Sequence, residues 1–321
     1  MKQEAELKPL FVERMKALFN NGKDFQGYME ILKKEPVRSI RCNTLKISPE
    51  NLKKRLLEKG WKIKQHFNEN PEIMIVENNL QPGELGRSFE HLLGYYYIQE
   101  IASMLPVLAL NPKEGDLVLD LCASPGSKTT QIAAKINGVG TIIANEINIG
   151  RIKILASNTE RCGTSNVIIT KKEGTALCKQ LKNSGFLFDK ILVDAPCSGE
   201  GTLRSTPRTA LMWNPNTIKK LSKIQKHLLA SALEILKLNG EIVYSTCTHA
   251  PEENEEVVDF ILEEFGNKIK IEKISLPVRC RSGLNSWKNE SYNKDVEKSC
   301  RIYPQDNNTE GFFIAKLRRI K

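Results

Sequence analysis

The chain has 321 residues, a formal net charge of +10 and an isoelectric point near 9.1. With 40% hydrophobic and 27% charged residues it has the composition of a folded chain with a sizeable core, which excludes wholesale disorder. No stretch approaches the ~18–20 uncharged apolar residues of a membrane span, and the positive balance points to a polyanion such as nucleic acid. The opening MKQEAELKPLF lacks an apolar signal core, so a cytoplasmic protein is expected. Eight cysteines occur and none lies in a CxxC pair, so no zinc or other metal site is signalled. Cys162, Cys178, Cys280 and Cys300 read as reduced, small hydrophobes.

In chain order, apolar spacing predicts a helix from Leu7 to Phe19, interrupted at Asn21-Gly22, then a short helix through Tyr28–Leu32. SIRCNTL (39–45) reads as a strand. Ser48 caps a helix that runs to Gly60, with Pro49 in its first turn. Glu72–Val76 is another strand, so residues 36–80 form a small α+β unit. A helix is expected over IQEIASMLPVLAL (98–110), with Pro106 as a kink or break. Strands at 117–121, 140–145, 166–170 and 190–193 then alternate with helices at 128–136 and 148–161. A long helix over Asn216–Leu238, a strand over 241–245, a helix over 252–265 and a last strand over 311–317 follow. Apolar strands spaced by helices predict an α/β, doubly wound, mostly parallel sheet of the Rossmann-like kind. The expected organisation is residues 1–105 as a small α+β amino-terminal domain and 106–321 as the catalytic domain. The lack of a zipper or extra domain predicts a monomer.

Ligands of such sheets bind beyond the carboxyl ends of the strands. The first strand ends in DLCASPGSKTT (120–130), a turn leading into a helix. It lacks the G-x-x-x-x-G-K-[ST] of a phosphate loop and the G-x-G-x-x-G of a dinucleotide site. A nucleoside-binding turn without phosphate demands remains, and S-adenosylmethionine is such a ligand. Glu146, about 20 residues past the turn, stands where a ribose acceptor belongs. Glu173 follows the third strand and either meets the adenine amino group or caps a loop. DAPCSGEG (194–201) and YSTCTHAPEENEE (244–256) each place a cysteine at a strand end. Such cysteines are often buried and inert, but two in register weaken that reading.

The segments DLCASPGSKT, DAPCSGEG and YSTCTHAPEENEE resemble the signature motifs of the Sun/Fmu-type family of RNA 5-methylcytosine methyltransferases. RCNTLK (41–46), GYYYIQEIASMLP (94–106) and GFFIAKLRR (311–319) resemble the family's amino-terminal motif, linking helix and last strand. The compact length looks most like archaeal tRNA-modifying members. The resemblance implies a class I methyltransferase fold with S-adenosylmethionine as cofactor. It implies Cys247 as the nucleophile that adds to carbon 6 of cytosine, and Cys197 as the residue assigned to product release. Asp194 matches the acid at the ring edge, and Lys128 a partner near the thiolate. The cofactor positions carried over are Cys122, Ala123, Ser124, Pro125, Gly126, Ser127, Lys128, Glu146, Arg151, Glu173 and Asp194. Two departures stand out: Ser124 and Ser127 replace small residues of Cys-Ala-Ala-Pro-Gly-Gly-Lys, and Glu173 stands where the family has Asp. A DNA cytosine methyltransferase would place its nucleophile on Pro-Cys, at Cys197; the surrounding motifs favour RNA. Within RNA, tRNA is the expected substrate, rRNA the alternative, and an RNA-binding assembly factor with dispensable activity the reading from another class.

A cytosine in a stem must be unstacked to meet a thiol, and basic residues would hold the phosphates. Residues 200–226 carry six basic groups against one acidic, and residues 266–321 carry 13 against 6. Arg41, Arg204 and Arg208 are the expected RNA contacts. Trp213 is read either as a stacking platform or as core. His249, two residues past Cys247, is a weak candidate base.

Overall fold

The computed structural model describes residues 7–19, 21–78 and 80–321. The chain folds as two compact units, one made of 37–194 and 231–242, the other of 1–36, 195–230 and 243–321. Both units draw on residues from either side of position 105.

The first unit contains β1 (Arg38–Cys42), β2 (Ile63–Lys64), β3 (Ile73–Val76) and β4 (Tyr96–Ile98) in an antiparallel sheet ordered β2-β3-β1-β4. Its helix Pro49–Glu58 is capped by Ser48, whose Oγ accepts from the Asn51 N–H at 3.2 Å. Leu52 and Leu56 on that helix pack with Ile40, Met74, Trp61 and Tyr96 into one core. Strand β4 falls where the sequence predicted the start of a helix. That helix begins only at Ile101, because the Glu100 carboxylate caps it by accepting from the Ala102 and Ser103 N–H groups. Pro106 lies inside the helix and does not end it.

The same unit carries β5 (Leu117–Asp120), β6 (Thr141–Asn145), β7 (Val167–Thr170) and β8 (Phe188–Asp194). These are parallel, with Leu119 opposite both Ile143 and Ile191, and Ile143 opposite Ile168. Helices Ser127–Lys135, Ile149–Cys162 and Gly174–Asn183 connect them, the last absent from the sequence reading. The long helix ends at Leu233 and not at Leu238. Leu236–Thr246 is strand β9 instead, with Asn239 at φ 62° before Gly240.

The second unit contains the carboxyl part of β9 and β10 (Ile269–Glu272), β11 (Arg281–Ser282), β12 (Ser286–Trp287), β13 (Glu290–Ser291), β14 (Cys300–Ile302) and β15 (Phe312–Arg319). Strand β15 lies between β14 and β9 in the sheet order, and β10 also pairs with it. Except for β15, these short antiparallel strands were not predicted, since two to four residues carry no readable period. Cys280 and Cys300 form a disulfide, which corrects their reading as reduced thiols. Cys42, Cys162 and Cys178 are free and buried.

Candidate active site

In the first unit, β5 delivers Asp120 to the turn 121–126. Gly126 caps the following helix at φ 99°, and a Cβ there would sit 3.0 Å from Leu155 Cδ1, so this step favours glycine on two counts. The turn is locked from several sides. The Ala123 N–H donates to the Asn145 carbonyl at 2.9 Å. Ser124 Oγ donates to the Arg151 carbonyl at 3.0 Å, and the Arg151 guanidinium returns a bond to the Ser124 carbonyl at 2.7 Å. Arg151 also pairs with Glu146 at 3.2 Å. Thus Ser124, a departure from the family pattern, ties the turn to the residues at the end of β6. Glu146 is 4% exposed and holds the Asn148 N–H at 2.9 Å.

Asp120 is buried, with Oδ2 accepting from Thr129 Oγ1 at 2.7 Å and Oδ1 without a partner. Burial, aided by the charge of Asp194, pushes its carboxyl up to about 7. Burial also raises the Cys122 thiol, reinforced by Asp120 and Asp194, so Cys122 stays protonated and unreactive. Lys128, buried, donates to Asp194 Oδ2 at 2.6 Å and to Ser103 Oγ at 3.1 Å. A helix amino terminus, an orphaned buried carboxylate oxygen and an acid at the second strand end together fit a nucleoside that carries a charged amino acid. S-adenosylmethionine is the cofactor that this donor set fits.

Glu173 turns the other way. Its carboxylate caps its own helix by accepting from the Thr175 and Ala176 N–H groups at 3.0 and 2.8 Å. Burial raises its pKa, but the bonds from the Thr175 hydroxyl and from backbone N–H groups together outweigh that and leave it lowered. The sequence offers an adenine contact or a loop cap for Glu173; the structure shows it capping a helix.

Arg41 is corrected outright. It is 1% exposed and donates to Gln99, to the Ser127 carbonyl at 2.7 Å and to Thr130 Oγ1 at 2.9 Å. Its face lies over the Tyr97 ring. A guanidinium so enclosed holds the first turn of the cofactor-side helix and cannot reach a phosphate.

In the second unit, the sulfurs of Cys197 and Cys247 are 3.1 Å apart, and the Cys247 N–H points at Cys197 Sγ at 3.3 Å. Both are half-buried. The bond to Cys247 and burial, then the charges of Cys247 and Glu253, hold the Cys197 thiol well above its usual pKa. Cys197 therefore keeps its proton and can donate to the neighbouring sulfur. Gly201 explains the end of DAPCSGEG: a Cβ there would lie 2.2 Å from the Gly311 carbonyl oxygen and 2.9 Å from that of Cys247. Only a bare Cα lets its N–H reach the Cys247 carbonyl at 2.9 Å.

The acidic run after Cys247 is a set of clamps. Glu252 takes a two-pronged bond from Arg14 at 2.9 and 2.8 Å. Glu253 accepts from the Ser198 N–H at 3.0 Å and from Gln225 at 2.8 Å. Asn254 accepts from Thr246 Oγ1 at 2.6 Å and donates to the Thr248 carbonyl at 3.0 Å. Glu255 pairs with Arg301, itself bonded to the His249 carbonyl at 3.0 Å. The motif's spacing was visible in the sequence, but not the roles of Glu252, Glu253 and Glu255, because their partners lie far along the chain.

Three further expectations are settled here. Arg204 is 3% exposed and donates to the backbone carbonyls of Thr309 and Glu35 at 2.9 and 2.8 Å, so it is structural and not an RNA contact. Trp213 is buried edge-on against Phe11, with Nε1 donating to Glu200 at 2.6 Å, so it is core and not a stacking platform. His249 is buried, stacked on Tyr303, and pushed down to about 3 by burial and Arg301, which removes it as a base. Arg208 remains exposed on the short helix Arg208–Met212, within a segment predicted to be a loop. Among the described residues no group of histidine, cysteine or acidic side chains could hold a metal, and no helix is long and apolar enough to cross a membrane.

Comparison with known proteins agrees with this geometry. Residues 107–318 match the family described as 16S rRNA methyltransferase RsmB/F, and residues 7–101 match the N-terminal domain of 16S rRNA methyltransferase RsmF. Ribosomal RNA small subunit methyltransferase F of Psychromonas ingrahamii is 37% identical over 325 residues, covering 100% of this chain and 65% of that protein. The protein of the same name from Aliivibrio salmonicida is 40% identical, covering 89% of this chain and 59% of its own. The chain thus spans about three-fifths of the length of these relatives. A methyltransferase homolog protein from Pyrococcus horikoshii superposes with a TM-score of 0.83 at 32% identity, covering 97% of this chain and 95% of its own. NSun6 from Pyrococcus horikoshii with SFG superposes at 0.81 and 26% identity, covering 99% of both. In extent the chain is like these archaeal proteins. The curated relatives, however, are bacterial and named for small-subunit rRNA, which corrects the expected likeness to tRNA-modifying members. With its sheet, its cofactor turn and its paired cysteines accounted for, the chain belongs to the RsmB/F family of RNA methyltransferases.

Proposed function

We propose that the protein methylates carbon 5 of cytosine in RNA through a covalent cysteine adduct, and that the RNA is small-subunit rRNA and not tRNA. The observation that carries this reading is the pair of sulfurs at Cys197 and Cys247, 3.1 Å apart in motifs that follow strand ends. Carbon 5 of cytosine is a poor nucleophile. The Cys247 thiolate adds to carbon 6, which makes carbon 5 electron-rich. Asp194 holds the ring edge at N3 and the exocyclic amine, and Lys128 at 2.6 Å keeps that carboxylate in place. S-adenosylmethionine, when bound, supplies the methyl group. A base then takes the carbon 5 proton, the bond between Cys247 sulfur and carbon 6 breaks, and Cys197 serves this release. The cofactor is held by the 122–128 turn, with Asp120 toward its charged amino acid and Glu146 with Arg151 at the ribose.

The names of the curated relatives support rRNA. The separate family match of residues 7–101 supports the amino-terminal segment as a module of its own, and contact with the RNA is its proposed role. Arg208, with the exposed Lys219, Lys220 and Lys223 on the following helix, is the proposed phosphate contact that remains after Arg41 and Arg204 are set aside. The test is incubation with labelled cofactor and either total tRNA or naked and subunit-assembled small-subunit rRNA. Label on cytosine of the rRNA is expected. Label on tRNA alone overturns the substrate, and label on neither overturns the activity.

A further inference from the structure

Glu253 lies six residues past Cys247, fully buried, and no part of the reaction outlined above uses it. Its Oε2 accepts from the Ser198 N–H at 3.0 Å and from Gln225 Nε2 at 2.8 Å. The same Gln225 Nε2 donates to the Pro196 carbonyl at 2.8 Å. The backbone on both sides of Cys197 is therefore held by one carboxylate and one amide. Tyr244 fixes the acid from below, its hydroxyl donating to the Glu253 carbonyl at 2.6 Å. Glu253 Oε1 and Gln225 Oε1 are both buried without a hydrogen-bond partner. The charged and titratable groups around the acid are Cys197, Glu200 and Arg14, the last already committed to Glu252.

We propose that Glu253 is the positioning residue of Cys197: with Gln225 it holds the turn 196–198, and it brings a buried carboxylate to the residue next to the thiol. A buried negative charge beside a thiol disfavours the thiolate, because no water screens the repulsion. Burial, with a smaller push from Glu200, brings the Glu253 carboxyl up to about 7 against the bonds from Ser198 and Gln225, so it changes charge near neutral pH. The thiol titrates on the alkaline side of this, where the carboxylate is charged and adds to the bond from Cys247 and to burial. The functional meaning of this control rests on the proposed role of Cys197 in release.

The test is the pH dependence of Cys197 alkylation by iodoacetamide in the full-length Cys247→Ser protein, read peptide by peptide by mass spectrometry. Glu253→Gln is expected to lower the alkylation midpoint by about one pH unit or more, while Glu253→Asp, which restores the charge, returns it toward the parent. An unchanged midpoint in Glu253→Gln, or the same profile for Gln and Asp, overturns the electrostatic role. Gln225→Ala keeps the charge but frees the turn, and is expected to raise the plateau alkylation rate severalfold without lowering the midpoint. An unchanged plateau overturns the clamp, and this arm stands even if Glu253→Gln does not fold. No RNA or cofactor is present, so failure here leaves the methylation reading intact, and absence of methylation by the wild type leaves this result standing.

Discussion

Cys197 and Cys247, 50 positions apart in the chain, bring their sulfurs to 3.1 Å. One is tuned to remain a thiol by its bond to the other, by burial and by neighbouring charge. Cys247→Ala is expected to abolish methylation, by roughly a thousandfold or more as for loss of a covalent nucleophile. Cys197→Ala is expected to accumulate a protein–RNA adduct that survives denaturing electrophoresis. An active Cys247→Ala protein would show that the nucleophile is elsewhere.

Glu146 and Glu173 are both acids after parallel strands; Glu146 is tied to the 122–126 turn through Arg151, and Glu173 caps its own helix. Glu146→Ala is expected to weaken S-adenosylmethionine binding by about 10- to 100-fold, the value of a hydrogen bond to a charged group. Glu173→Ala is expected to leave that affinity within about twofold and to cost about 1 kcal/mol of stability as a lost helix cap. Calorimetric titration and urea unfolding of the two variants check this, and equal losses of affinity would return Glu173 to the cofactor.

The three arginines once grouped as RNA contacts separate by burial. Arg41→Ala and Arg204→Ala each leave several buried acceptors unmet and are expected to destabilise the fold by about 2–4 kcal/mol. Arg208→Ala is expected to leave the melting temperature unchanged and to reduce the salt dependence of RNA binding by about one charge. Binding isotherms across a salt series would decide; a lowered melting temperature for Arg208→Ala would make it structural as well.

His249 is held neutral inside the second unit. Unfolded, it takes a proton near its ordinary value of 6.5; folded, only near 3. Between these values the unfolded chain binds more protons, so stability from this group is present above the higher value and is lost as pH falls toward the lower. His249→Phe removes that slope. Urea unfolding from about pH 7 to about pH 4 should show the wild type losing stability relative to the variant as the medium becomes more acid. A constant difference would mean that the imidazole is solvated.

The strand-end positions of the candidate site residues were legible in the sequence alone. Asp120, Glu146, Asp194, Cys197 and Cys247 all sit at or just beyond the carboxyl ends of strands, and an apolar run closed by a turn is a local pattern that one stretch of chain displays by itself. What escaped was whatever depends on distant partners or very short elements. The strand Tyr96–Ile98 and the strands after residue 268 are too short for a period to emerge, apart from the last. The helix expected to run to Leu238 ends at Leu233, and the apolar residues from Leu236 onward belong to strand β9. Arg41 and Arg204 look alike as sequence, since a basic residue is by default an exposed one. Only the tertiary structure decided that their charges face inward, where enclosed carbonyls and hydroxyls take the place of water around each guanidinium. The same holds for Glu252, Glu253 and Glu255: the sequence shows acids, and packing pairs Glu252 with Arg14 and Glu255 with Arg301 while Glu253 takes neutral donors from Ser198 and Gln225, because a carboxylate removed from solvent must find donors within the protein.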